Sequence, residues 1–190
     1  MGAVLRDKPL GRVFFQRSLR APGNRGVSAI VEHMPDPVSK RAADSEVTLQ
    51  HFMMPEHANP LGNVHGGVIM KLVDEAAAIC SMRHAQRPTV TVAIDSVSFR
   101  SPVHVGELIS LHARLNYVGR TSMEVGVKVL AENPILGSVT HTNSATVVLV
   151  ALGDDGKPCA APGLVVSTDE EKKRWAEGER RQRERVARRD

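Results

Sequence analysis

The longest uninterrupted helical pattern in the chain follows a segment rich in glycine and proline. Residues 59–67 read NPLGNVHGG, and residues 68–83 contain neither glycine nor proline and are mostly good helix formers. A turn of 100° per residue places Lys71, Asp74 and Glu75 in one sector, and almost every other position of the helix is apolar or small. A helix that is apolar on nearly all sides is buried, so we expect other elements to surround it.

Five segments show the alternating apolar and polar positions of β-strands, one before the helix and four after it. They are residues 46–54, 89–99, 107–118, 122–132 and 139–152. Short turns between the last three imply antiparallel pairing. The predicted order is β-α-β-β-β-β, and the fold class is α+β, with an antiparallel sheet wrapped around one long central helix. Valine on both faces of the strands also predicts self-association.

The two ends of the chain differ in composition from this middle region. Residues 1–44 form an Arg-rich extension, and for residues 1–33 we consider a disordered tail, an organelle transit peptide, or sequence upstream of a start at Met34. Residues 45–160 form the predicted domain. Residues 161–190 form a charged tail, in which a capping box at residues 168–171 predicts the start of a solvated, partly frayed helix.

Charge and cysteine content narrow the classes of function. The net charge of +4 comes from the two ends, because residues 34–167 carry ten basic and twelve acidic groups. This balance argues against a nucleic-acid-binding face. Cys80 and Cys159 are too few for a disulfide framework, which favours a cytoplasmic protein, with mitochondrial import through residues 1–33 as the minority alternative. No apolar run reaches the roughly 18 residues of a membrane span.

Asp74 is the main candidate for chemistry on the predicted helix. Its neighbours on the same face include Ala77, Ala78 and Ser81, which are small enough to leave space beside a carboxylate. The alternative is that Asp74 belongs to a solvated stripe with Lys71 and Glu75. No metal-ligand spacing, phosphate loop or nucleophile elbow occurs in the sequence.

The motifs together resemble those of the hotdog-fold acyl-CoA thioesterases, in particular the cytosolic (brain-type) acyl-CoA hydrolases and their short bacterial counterparts. The resemblance rests on residues 62–67, on the helix that carries Asp74, and on residues 90–99 and 102–107. It implies hydrolysis of fatty acyl-CoA to fatty acid and CoA, with a catalytic carboxylate at Asp74, a catalytic amide at Asn63, and no cofactor besides the CoA of the substrate. It also implies that acyl-CoA lies across a dimer interface and that dimers assemble into hexamers.

The start of the helix offers hydrogen-bond donors for a developing negative charge. We expect Gly67 to present its backbone N–H to the thioester oxygen, and Gly66 and His65 to contact substrate, although His65 more often shapes such a loop. Asp74 lies seven residues beyond Gly67, roughly 10 Å along the helix, so one chain does not bring both to one carbonyl. Antiparallel pairing of two chains would bring them together.

Arg120, Thr121 and Ser122 form a turn between two predicted strands. The resemblance to the family makes this turn a candidate for binding CoA phosphates, and a plain hairpin turn is the alternative. Asn143 and Ser144 are interpreted as framework residues of the last strand. The competing function is a hotdog module that binds acyl-CoA without chemistry, and a hydratase acting on enoyl thioesters is a weaker third choice.

Overall fold

The computed structural model describes residues 38–188, so the expectations for residues 1–33 lie outside the described residues. The strands and helices, in chain order, are β1 Lys40–Arg41, β2 Val47–Phe52, α1 Gly66–Ala85, β3 Thr89–Phe99, β4 Leu108–Val118, β5 Ser122–Asn133, β6 Ser138–Ala151, β7 Leu164–Val165 and α2 Asp169–Ala187. The structure also contains two short 3-10 helices, Ala42–Ser45 before β2 and Pro55–His57 after it.

The main sheet has five strands in the order β2-β4-β5-β6-β3, and every neighbouring pair is antiparallel. Helix α1 packs against one face of this sheet, which confirms the predicted α+β class and the order β-α-β-β-β-β. The sequence did not predict β1 and β7, which form a two-residue parallel pair. Two residues are too few to show a period, so only their pairing reveals them.

The core lies between α1 and the inner face of the sheet. Alternate residues of β4, β5 and β6 point towards the helix, as the two-residue period of a strand requires. The buried inner positions include Leu111, Leu115, Met123, Val125, Val129, Val147 and Leu149, and from α1 they meet Ile69, Leu72, Val73, Ala76, Ala77 and Cys80. The small side chains on α1 allow the helix to lie close to the sheet.

His84, near the end of α1, is fully buried and connects the helix to one segment before β2 and one segment after β6. Its Nε2 lies 2.8 Å from the carbonyl oxygen of Pro162, and its Nδ1 lies 3.4 Å from Ser45 Oγ. Because a carbonyl only accepts, Nε2 carries the proton and Nδ1 accepts. Burial lowers the pKa of His84, so the ring is held neutral.

Helix α2 begins with the predicted capping box. The N–H of Glu171 donates to Thr168 Oγ1 over 3.2 Å, and the N–H of Thr168 donates to Glu171 Oε2 over 3.1 Å. The interpretation of a solvated, frayed helix is wrong, because α2 packs on the sheet. Gly178 is buried against Tyr117, and Trp175 lies 5.2 Å from the Tyr117 ring. Because α2 packs through one glycine and one aromatic ring, it lacks the apolar stripe by which a packed helix is recognised in a sequence.

A buried carboxylate also holds α2 to the sheet. Glu124 of β5 is 1% exposed and points away from α1, because its neighbours along the strand face the core. Arg181 donates to it over 2.6 Å, and Arg185 bonds both Glu124 and Asp95 of β3. The hydrogen bond to Glu124 raises the pKa of Arg181. These charge pairs join α2 to two strands of the main sheet.

Candidate active site

Asp74 is half-buried on α1 and is held by a strand residue. Thr91 Oγ1 of β3 donates a hydrogen bond of 2.6 Å to Asp74 Oδ1. Two helical turns further along α1, a second contact joins the same helix and strand: Ser81 Oγ and Thr89 Oγ1 lie 2.7 Å apart. The carboxylate therefore has one oxygen fixed by the protein, while the described residues offer its Oδ2 no donor.

The charged neighbours of Asp74 pair with each other. Lys71 Nζ lies 3.5 Å from Glu75 Oε1, as expected for an exposed i,i+4 pair, and both side chains are exposed. Asp74 is therefore not a member of a simple solvated ion-pair stripe. Its partner is a neutral hydroxyl, which leaves the negative charge available.

Asn59 closes the loop before α1. Its Oδ1 accepts from the N–H groups of Leu61, over 2.9 Å, and of Asn63, over 3.2 Å. Its own N–H donates to the Asn63 carbonyl over 2.7 Å. Gly62 has φ 83°, a left-handed conformation that favours glycine. The sequence prediction named Asn63 and not Asn59, although Asn59-Pro60 with Gly62 close behind is a signal for an Asx turn.

His65 caps the start of α1. Its Nδ1 accepts the N–H of Gly67 over 2.9 Å, so the donor predicted to face the substrate is already bonded in this structure. Among the described residues no acceptor is bonded to the N–H of Gly66. The loop-shaping role considered for His65 is therefore the one seen here, and Gly66 presents the open donor at the positive end of the helix.

A cavity of about 340 Å³ lies at this end of α1. Asn59, Asn63 and Gly66 line it from the loop side, and residues 99–103 and Asn143 line it from the sheet side. His65, Gly67 and Asp74 are not among its lining residues. The fold thus collects the amide side chains and the open helix end in one place, away from the carboxylate.

Within one chain, the carboxylate and the helix end are separated. Gly66 and Asp74 are eight residues apart on α1, about 12 Å along its axis. Gly66 lies against the ring of Phe99 at the end of β3, whereas Asp74 bonds Thr91 near its start. A single thioester carbonyl does not reach both groups.

The turn of Arg120, Thr121 and Ser122 lies at the opposite end of the sheet from the cavity. The N–H of Ala151 donates to the Thr121 carbonyl over 3.0 Å, and Ala151 pairs with Thr89, where β3 begins. The N–H of Ala161 donates to the Arg120 carbonyl over 2.9 Å. Arg120 is exposed and forms no ion pair with any described residue, so its guanidinium is open to a ligand.

Strand β3 is the last strand of the sheet, and α1 leaves part of its inner face uncovered. Ile94 and Phe99 pair with the inner residues Val147 and Asn143, so they point to the side of α1. They are nevertheless 38% and 53% exposed, and Met70, which shares the helix face of Asp74, is 40% exposed. The Asp74–Thr91 pair thus borders an open apolar surface.

Two further findings concern residues 38–188. None of their helices is long and apolar enough to cross a membrane. They also contain no group of three or more His, Cys, Asp or Glu side chains arranged to hold a metal ion.

A helix packed on an antiparallel sheet, with a carboxylate on the helix and amide groups at its start, fits a thioesterase of the hotdog class. The chain matches the description "Thioesterase superfamily" over residues 61–138. It is 38% identical to Protein VdlD of Helicobacter pylori over 69% of this chain and 75% of that protein. It is 34% identical to the cytosolic acyl coenzyme A thioester hydrolase of Rattus norvegicus, over 80% of this chain and 40% of that protein.

Solved structures give the same result. An apo-hexameric acyl-CoA thioesterase is 34% identical, with a TM-score of 0.76, over 80% of this chain and 97% of that chain. An acyl-CoA hydrolase from Staphylococcus aureus, solved with butyryl coenzyme A and coenzyme A, is 32% identical, with a TM-score of 0.73, over 80% of this chain and 92% of that one. It was also solved with an aspartate, an asparagine or a threonine replaced by alanine. The chain belongs to the thioesterase superfamily, within its hotdog-fold acyl-CoA hydrolases, and is an enzyme of the thioester-hydrolase class.

Proposed function

We propose that this protein hydrolyses fatty acyl-CoA to a free fatty acid and CoA, with no cofactor besides the CoA of the substrate. The observation that carries the proposal is the Asp74 carboxylate, fixed through one oxygen by Thr91 and bordering an apolar surface. Acyl chains are apolar, so a surface of this kind suits the fatty chain while the carboxylate acts on the thioester.

Asp74 is proposed to activate the attacking water. A carboxylate with one oxygen held by a hydroxyl is oriented, and its other oxygen can accept a proton from water as the water attacks the thioester carbon. The negative charge that develops on the carbonyl oxygen needs donors, and the open N–H of Gly66 at the start of α1 is one. The N–H of Gly67 would join it only if the His65 ring moved aside.

The amide that assists Asp74 is proposed to be Asn59, ahead of the sequence candidate Asn63. In the S. aureus enzyme the replaced aspartate follows the replaced asparagine by fifteen positions, and the replaced threonine follows the aspartate by seventeen. Asn59, Asp74 and Thr91 have these residue types at these spacings in this chain. Because the Oδ1 of Asn59 is occupied by loop N–H groups, its NH₂ group is the part left to donate to a substrate.

The site is proposed to be shared between two copies of the chain. The free edge of β3 and its uncovered inner face favour antiparallel addition of a second β3, which would bring Asp74 of one copy near Gly66 and Asn59 of the other. Dimers assembled in threes would give the hexamer described for related enzymes. Arg120, Thr121 and Ser122 are the proposed contacts for the CoA phosphates, because this turn presents an open guanidinium.

We place the reaction in the cytoplasm. Cys80 and Cys159 are free thiols, and the rat relative is named cytosolic.

Burial raises the pKa of Cys80 to about 12, so this thiol stays protonated and takes no part in catalysis.

The test is the release of CoA thiol from a series of acyl-CoA substrates of short to long chain. Wild type is expected to release thiol, and Asp74→Asn to lose about 100- to 10,000-fold in kcat, the usual contribution of a general base. Glu75→Gln is the matched control, because Glu75 is the adjacent exposed carboxylate on the same helix. Equal rates for Asp74→Asn and wild type would refute the role of Asp74, and a wild type that releases no thiol would refute the function.

The same assay separates the two asparagines. Asn59→Asp keeps the oxygen that the loop N–H groups need but removes the NH₂ donor, so its rate is expected to fall about 100-fold or more. Asn63→Asp is the comparison, made under the same conditions. A larger loss for Asn63→Asp than for Asn59→Asp would return the assignment to Asn63.

A further inference from the structure

Asn143 is a polar residue at a position of β6 that otherwise belongs to the core. The inner positions that follow it on the strand are Ala145, Val147 and Leu149, all apolar and buried. Asn143 has the same parity and is itself 0% exposed. An amide at a core position costs free energy unless both of its ends find hydrogen-bond partners.

Only one end of this amide has a partner. Asn143 Nδ2 donates to the Ser98 carbonyl over 3.4 Å, whereas Oδ1 is buried and has no partner among the described residues. The orientation is determined by chemistry, because the Ser98 carbonyl only accepts and must face the NH₂ group. Oδ1 is therefore a buried acceptor, and the described residues supply no donor for it.

The cavity at the start of α1 adjoins Asn143. Asn143 lines it together with Asn59, Asn63 and the open helix end at Gly66. No carboxylate lines this cavity, and Arg100 is its one charged lining residue. Neutral amides that both donate and accept complement a ligand that itself carries amide groups.

We propose that Asn143 is a substrate-binding residue that recognises the pantetheine arm of the thioester, with its Oδ1 accepting one amide N–H of that arm. This inference rests on the proposed function, because that function supplies a ligand with two amide groups next to the reacting sulfur. The thioester carbonyl would lie at the Gly66 N–H and the arm would continue along the cavity. Asn143 thus favours thioesters of pantetheine over thioesters of simple thiols.

The experiment compares three thioesters of one acyl group, those of CoA, N-acetylcysteamine and ethanethiol, which carry two, one and no amide groups in the thiol part. Asn143→Leu is expected to lower kcat/KM for the CoA thioester about tenfold and to leave the ethanethiol thioester nearly unchanged, because only the former loses a hydrogen bond. The N-acetylcysteamine result shows which amide is recognised. Thr142→Val is the matched control, since Thr142 is the adjacent buried polar residue and does not line the cavity.

The ratio of the two kcat/KM values within each variant does not depend on the fraction of folded enzyme. If Asn143→Leu does not fold, Asn143→Ala provides the same ratio. An unchanged ratio, which includes an equal loss with every substrate, overturns the proposal; it is the result expected if the orphan oxygen merely binds a water. If wild type hydrolyses no thioester, titration calorimetry with free CoA replaces kinetics: weaker binding by Asn143→Leu than by Thr142→Val supports recognition by Asn143, and equal binding overturns it.

Discussion

Thr91 holds only one oxygen of Asp74, which suits the proposed role of Asp74 as a general base. A carboxylate on a helix retains several rotamers, and a hydrogen bond of 2.6 Å from the neighbouring strand selects one of them. The threonine is thus a positioning residue for the proposed general base. Thr89, two positions earlier on the same side of β3, makes a similar contact with Ser81 but does not touch Asp74.

Thr91→Val is expected to reduce kcat about tenfold with little change in KM, because the substitution keeps the shape of the side chain and removes the hydrogen bond. Thr91→Ser is expected to restore most of the rate. Thr89→Val removes a comparable hydroxyl contact between β3 and α1, so it controls for loosening of the strand. Similar losses in Thr89→Val and Thr91→Val would mean that Thr91 acts on the packing of β3 and not on Asp74.

Helix α2 shows how a strongly charged element can be part of the folded domain. Its mean composition is that of a solvated helix, yet Glu124 is buried under it and receives hydrogen bonds from Arg181 and Arg185. A buried carboxylate is stable only while its partners remain, so the contact fixes where the helix lies. Because Arg185 also bonds Asp95 on β3, the helix supports the strand that carries Thr91.

Arg181→Met is expected to lower the free energy of unfolding by about 2 kcal/mol, less than a fully broken buried pair because Arg185 still faces Glu124. Arg180→Met is the matched control, since Arg180 lies next to it on the helix and pairs with Glu184 on the surface. Its effect should be within about 0.5 kcal/mol. Urea unfolding at equal protein concentration measures both, and equal stabilities would contradict anchoring of α2 through Glu124.

At the scale of the whole molecule, the main feature is the exposed edge of the sheet at β3. Within residues 38–188 no strand pairs with the outer edge of β3, and Ile94, Phe99 and Met70 leave an apolar surface beside it. Proteins protect such edges with charges, prolines or a covering element, but α1 covers only the part of β3 near Thr89 and Thr91 and leaves Ile94 and Phe99 exposed. In the proposed function, a second copy of the chain covers this edge and completes the site.

Ile94→Lys is expected to produce monomers that keep their fold and lose at least tenfold in activity, because a charge on this surface opposes pairing and leaves each site incomplete. Ile135→Lys places the same charge on the exposed hairpin between β5 and β6 and should change neither property. Light scattering after gel filtration gives the mass, and circular dichroism checks the fold. Fully active Ile94→Lys monomers would refute the shared site.

Much of the fold could be predicted from the chain because its signals are local. The helix at α1, the order of the long strands along the chain and the capping box of α2 all follow from periodicity and from residue types at short spacing. The placement of Asp74 on the one long buried helix follows in the same way. Such signals arise from contacts between residues a few positions apart, which a sequence displays directly.

The remaining features depend on residues far apart in the chain. The partner of Asp74 lies seventeen positions away, Glu124 meets Arg181 across 57 positions, and Asn143 lines a cavity with Asn59. No local period marks such pairs, because the two sides meet only when strands and helices pack. The chain alone therefore determined the long strands and helices and their order, while tertiary packing decided the short β1–β7 pair, which amides, carboxylates and hydroxyls share a site, and that α2 lies on the sheet.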